Sequence, residues 1–111
     1  MSKPRWQINQ ERSKKQENGI AKELGGRRVP GSGSMRGNKG DVSAPDVLVE
    51  AKTTSSKAGS YNVRAEVWRK ISREAQTVGK EAALQVDLLG ERVVVLSWNY
   101  YRTLRDHYRY C

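Results

Sequence analysis

Residues 40–54, GDVSAPDVLVEAKTT, decide how this chain is read. Two short strand-like segments flank Pro45-Asp46, and Pro at the first central position of a turn, followed by Asp, suits a tight reversal. A hairpin closing there sets Ala44 opposite Val47, Ser43 opposite Leu48, Val42 opposite Val49 and Asp41 opposite Glu50. Directly opposed residues on antiparallel strands hold their Cβ atoms about 4.5–5.5 Å apart. Side chains alternate between faces along a strand, so Lys52 projects from the same face as Glu50. Two carboxylates are then forced together with an ammonium beside them. Like charges so placed repel, and a divalent cation relieves the repulsion. The spacing predicts a metal site suited to hydrolysis.

Hard cations such as Mg²⁺ take oxygen ligands and keep several of their waters. Asp41 and Glu50 are the expected carboxylate ligands, and the Ala51 carbonyl is a candidate third oxygen. A cation there polarises a phosphoryl oxygen and lowers the pKa of bound water. Lys52 is expected to orient that water or to neutralise charge growing on a phosphate. Glu-x-Lys on a strand is by itself an ordinary solvated face. The opposed Asp41, the Val47-Leu48-Val49 lead-in and the basic composition turn the reading towards a site.

Working outward, Gln10 to Leu24 reads as a helix, with Ile20, Ala21 and Leu24 on one side and Gly25-Gly26 as its stop. Residues 1 to about 10 are polar and are expected to be loosely held. Arg27-Arg28-Val29 can start a strand. Residues 30–40 and 55–62 are too rich in Gly and Ser for regular structure and read as mobile loops. Trp68, Ile71, Ala75 and Val78 recur at helical spacing, predicting a helix from Arg64 to Val78 that ends at Gly79. Leu84, Val86 and Leu88 alternate with Gln85 and Asp87, as in a strand with one wet face. Val93-Val94-Val95-Leu96 is apolar enough to be a central strand. Asn99 is the expected cap of a last helix carrying Tyr101, Leu104 and Tyr108. The order is α-β-β-β-α-β-β-α, a single α/β domain.

The chain has 111 residues, enough for one modest core. It carries 21 Lys and Arg against 12 Asp and Glu, a net charge of +9, which favours a polyanionic partner. Carboxylates gathered inside so basic a chain suit an enzyme acting on phosphodiesters. No apolar run reaches the roughly 18–20 residues of a membrane span. The opening residues lack the apolar core of a secretory signal, and the lone Cys111 excludes an internal disulfide framework. A reducing cytoplasm is the expected location.

Glu17 precedes Ile20 and Ala21 by three and four positions, so it shares their packing face, where an acid is otherwise unexpected. It is a candidate further carboxylate near the metal, and Glu11 is the alternative. Arg27, Arg28, Arg36 and Lys39, spread among glycines that let backbone amides approach phosphates, form a candidate DNA-contacting loop with Ser32. The loop lacks the Gly-Lys-Ser/Thr ending of a nucleotide-binding P-loop. His107 reads as a helix-surface residue and Trp68 as core. The tyrosines near the C-terminus read as packing or dimer contacts rather than base-stacking platforms.

The series Glu17…Arg28-Val-Pro-Gly-Ser-Gly…Gly-Asp41…Glu50-Ala-Lys52 resembles the PD-(D/E)XK nuclease superfamily, and within it the archaeal-type and phage Holliday junction resolvases. The match spans residues 17 to 54. Asn18 stands where resolvases often place an Arg, and the literal Pro45-Asp46 pair falls at the turn, too near the hairpin tip for Asp46 to face Glu50. The resemblance implies a restriction-endonuclease-like mixed sheet flanked by helices, Mg²⁺ or Mn²⁺ dependence, and a homodimer presenting two sites to a four-way DNA junction. It also implies Asp41 and Glu50 as metal ligands, Lys52 as the catalytic lysine, Glu17 as the helix acid, and Arg28 and Ser32 in a phosphate-contacting loop. A nuclease acting on nicks, flaps or plain duplex, and a basic nucleic-acid-binding protein without catalysis, are the competing readings. Metal dependence separates the last from the others, and substrate structure separates the first two.

Overall fold

The computed structural model describes residues 2–29, 40–52 and 57–110. Along the chain come α1 (Arg5–Leu24), β1 (Arg27–Arg28), β2 (Val42–Ser43), β3 (Val47–Lys52), α2 (Ala65–Thr77), β4 (Glu81–Leu88), β5 (Glu91–Leu96) and α3 (Trp98–Tyr110). This is the expected order of elements. The five strands form one mixed sheet in the order β1-β2-β3-β4-β5, antiparallel throughout except for the parallel β3–β4 pair that α2 connects.

The Pro45-Asp46 reversal is present. Val42 pairs with Val49 and Ser43 with Leu48, and the Ala44 N–H closes the turn on the Val47 carbonyl at 2.9 Å. Alternation along β3 then sorts its side chains between two layers. Val47 and Val49 join Ile20 and Ala21 of α1, with Val42, Ala44 and Ala83, on one face of the sheet. Leu48 joins Ile71 and Ala75 of α2, with Ala82 and Leu84, on the other. Glu50 and Lys52 continue the Leu48 row and therefore belong to the α2 face.

Five expectations are corrected. The first helix begins at Arg5 behind Pro4, whose carbonyl accepts the Gln7 and Ile8 amides at 3.1 Å, rather than at Gln10. The apolar run 93–96 is not a central strand: β5 pairs only with β4 and forms the sheet edge, leaving Val94 55% exposed. β4 is an interior strand, paired with β3 and β5, and Gln85 is buried with its neighbours instead of facing water. The last helix is capped by Ser97, not Asn99. The Ser97 hydroxyl oxygen accepts the Tyr100 amide at 3.0 Å, which fixes Trp98 as the first helical residue. The second helix ends as expected, with Gly79 in the left-handed region, but Val78 is exposed rather than part of the core stripe.

Of the expected mobile loops, residues 30–39 and 55–56 lie outside the described residues, as do residues 53–54 of the expected hairpin. No described helix is long and apolar enough to cross a membrane.

Candidate functional site

The site lies at the end of β3, where the hairpin opens away from its turn. Gly40, with φ +75, brings the chain into β2 through a bend that holds Asp41. A Cβ at Gly40 would stand 2.9 Å from Leu48 Cγ and 3.2 Å from Ile71 Cδ1, so the bend is pressed against the core and only glycine fits it. Asp41 is fixed from several sides. Its N–H donates to the Val49 carbonyl at 2.9 Å, its carbonyl accepts the Val29 N–H at 2.9 Å, and its Oδ2 accepts the Ala51 N–H at 2.8 Å. The expected opposition of Asp41 and Glu50 in the ladder is therefore not made. Strand pairing stops at Val42 and Val49, and Asp41 reaches one residue past its expected partner to cap Ala51. Ala51 meets Asp41 through its amide as well as being the candidate carbonyl ligand.

The carboxylates nonetheless share one electrostatic environment. Burial first, and the charge of Asp41 second, raise the Glu50 pKa above the ordinary carboxylate value, against the opposing charges of Lys52 and Lys70. The Lys52 ammonium stands 3.6 Å from Glu50 Oε1, and the Glu50 side chain is only 15% exposed. Glu17, 13% exposed, accepts a hydrogen bond from Arg28 Nε at 3.1 Å. Its pKa is raised chiefly by burial, and Asp41 adds to the rise while Arg28 opposes it. Since α1 starts twelve residues earlier, Glu17 sits in mid-helix and has no helix-dipole explanation. Glu11 bonds Lys3 at the exposed end of α1, away from this cluster.

The hairpin, α1 and β1 thus place Asp41 where its charge acts on Glu17, which holds Arg28, and on Glu50, which pairs with Lys52. Arg27 is turned elsewhere, lining a depression with Ser43, Pro45 and Lys80 near the hairpin tip. Asp46 is at that tip too, accepting the Tyr100 hydroxyl at 3.2 Å. Ser32, Arg36 and Lys39 lie outside the described residues. His107 is exposed on α3, and Trp68 is half-buried against the α2 core.

Three contributors escaped the sequence reading. Gln16 Nε2 donates to the Lys52 carbonyl at 3.1 Å and to Gln85 Oε1 at 2.6 Å, tying α1 to the strand end that carries the lysine. Lys70 and Glu74, on α2, pair at 3.6 Å and both act electrostatically on Glu50. The signal that picked out Glu17 was available for Gln16 and Glu74, but not for the exposed Lys70. Gln16 lies four residues before Ile20, and Glu74 lies between Ile71 and Ala75 on the helix that covers β3.

Every donor in the cluster is a hard oxygen, the chemistry that Mg²⁺ or Mn²⁺ selects over zinc or copper. Among the described residues no three His, Cys, Asp or Glu side chains form a ready-made cage. Two carboxylates supplemented by waters and a backbone oxygen match the way Mg²⁺ is usually held. Comparison with protein-family models, curated proteins and solved structures returned no match.

Proposed function

We propose that this chain is a metal-dependent endodeoxyribonuclease that hydrolyses phosphodiester bonds in branched DNA, in the manner of a Holliday junction resolvase. The observation that carries the reading is the convergence of Asp41 and Glu50, with Lys52 3.6 Å from Glu50, in a chain of net charge +9. Asp41 and Glu50 hold Mg²⁺ or Mn²⁺, and Ala51 offers its carbonyl. The bound cation supplies Lewis acidity and activates water for in-line attack.

The chain's own groups do the rest. The Ala51 amide fixes the rotamer of Asp41, so this ligand is set before the cation arrives. Lys52, its backbone held by Gln16, neutralises charge that grows on the phosphate in the transition state. Glu17 holds the Arg28 guanidinium beside the site, ready for a phosphate of the same strand. Ser32, Arg36 and Lys39, outside the described residues, belong to the basic, glycine-rich stretch that the sequence reading assigns to phosphate contact. A homodimer presents two such sites to a four-way junction. The exposed apolar face of β5 and α3, with Val94, Trp98 and Tyr101, supports pairing of two copies.

Cleavage of a labelled four-way junction, beside a linear duplex of the same sequence, tests this reading with Mg²⁺ and with EDTA. Paired cuts in the junction alone are expected. Lys52→Ala should lower the rate by roughly 10²–10³-fold, comparable to removal of one transition-state charge stabiliser. Glu50→Ala and EDTA should abolish cutting. Metal-dependent cutting of both DNAs would remove the junction specialisation. Binding without cutting under either metal would remove the catalysis and leave the basic surface as the function.

A further inference from the structure

Glu74 is an odd member of the α2 surface. It forms an i,i+4 pair with Lys70, which on an exposed helix would be commonplace. Yet its side chain is only 14% exposed, while Lys70 is 63% exposed. One carboxylate oxygen, Oε1, meets the Lys70 ammonium at 3.6 Å, and the other, Oε2, is buried with no hydrogen-bond partner among the described residues. A buried carboxylate oxygen left without a donor costs more than an ordinary surface group gains, and such an atom calls for a specific explanation.

Position supplies one. Glu74 flanks Ile71 and Ala75, the residues that seat α2 on Leu48 and Leu84. Glu50 and Lys52 extend the Leu48 row of the same sheet face, and the Glu74 charge acts on Glu50. A hydrated Mg²⁺ held by Asp41 and Glu50 brings water donors to this neighbourhood, because it keeps several of its waters and these need acceptors.

We propose that Glu74 is a positioning residue for the cation, its Oε2 accepting a hydrogen bond from a metal-coordinated water while Lys70 clamps Oε1. The role rests on the metal site proposed above, and one experiment separates the two. Mn²⁺ binding to the DNA-free protein is measured by calorimetry for wild type, Glu50→Gln, Glu74→Gln and Glu74→Asp, with circular dichroism confirming that each variant is folded. Wild type should bind and Glu50→Gln should not. Glu74→Gln should weaken binding by roughly 10–100-fold, the usual cost of losing such an outer contact. Glu74→Asp keeps the charge but withdraws the oxygen by one methylene, so it should weaken binding as well.

Wild-type affinity in Glu74→Gln, with binding still abolished in Glu50→Gln, overturns the role of Glu74 alone. Retention in Glu74→Asp with loss in Glu74→Gln overturns it too, because distant charge then suffices. Absence of Mn²⁺ binding by the wild type overturns the metal site and the role together.

Discussion

Glu50 carries a cost that its surroundings impose. Burial and the charge of Asp41 raise its pKa, so the folded chain holds this proton more tightly than the unfolded chain does. Below the unfolded-state value both states are protonated and Glu50 has no influence. As pH rises towards the raised folded value, the unfolded state ionises first and stability falls, and it stays reduced above that value. Glu50→Gln should therefore melt several degrees higher than wild type at about pH 7 and at the same temperature as wild type at about pH 3. Equal melting temperatures at neutral pH would show that the site holds no strain. Adding Mg²⁺ should stabilise wild type but not this variant, by about 2.7 kcal/mol at a hundredfold excess over Kd. The pair Glu50 and Lys52 was legible in the sequence because strand periodicity alone sets their common face. The partner of Asp41 was not, because the bend at Gly40 shifts its bonds by one residue, and a hairpin register read from Pro45 outward assumes an unbroken ladder.

Among the elements, the hairpin and α2 were readable from turn chemistry and helical spacing, whereas β5 lies at the edge rather than the centre and β4 has no wet face along residues 82–86. An apolar run such as 93–96 tells that a strand exists but not which neighbours it has, and edge or centre is decided by the whole chain. Alternation misled in the same way at Gln85, a buried polar residue satisfied by Gln16 and Asp87. The junction between α1 and β1 gives a prediction at this scale. Gly26 approaches β2 so closely that a Cβ would lie 2.5 Å from the Ser43 carbonyl oxygen and 2.9 Å from Ala44 Cα. Backbone cannot yield as a side chain can, so Gly26→Ala should destabilise the fold by about 1–3 kcal/mol, read as a shift of the urea midpoint. An unshifted midpoint would mean that β1 is dispensable. α3 behaves differently, since at thirteen residues it is marginal in isolation and has Ser97 as its cap. Ser97→Ala should speed amide exchange across residues 98–110 and leave the sheet unchanged.

At the scale of the molecule, helices cover both faces of the sheet at β3, but the cover thins towards β5. There an apolar groove of about 320 Å³ runs between Ile20, Val49, Ala83, Val94, Leu96 and Leu104. Trp98 is 72% exposed beside it. If two copies pair through this face, Val94→Asp with Trp98→Asp should convert a dimer into a monomer in sedimentation, with the fold intact. A wild type that is already monomeric at all concentrations would end the two-site arrangement. The position of β4 has a different consequence, for the order in which the chain is made. The proposed catalytic groups all precede Glu74 in the sequence, so the ribosome releases them first. Yet β3 has only the two-residue β2 beside it until β4 emerges, and a lone two-stranded hairpin is at best marginal in water. Vectorial synthesis therefore yields a nascent chain that carries every proposed site residue but no formed site until Leu88 has emerged.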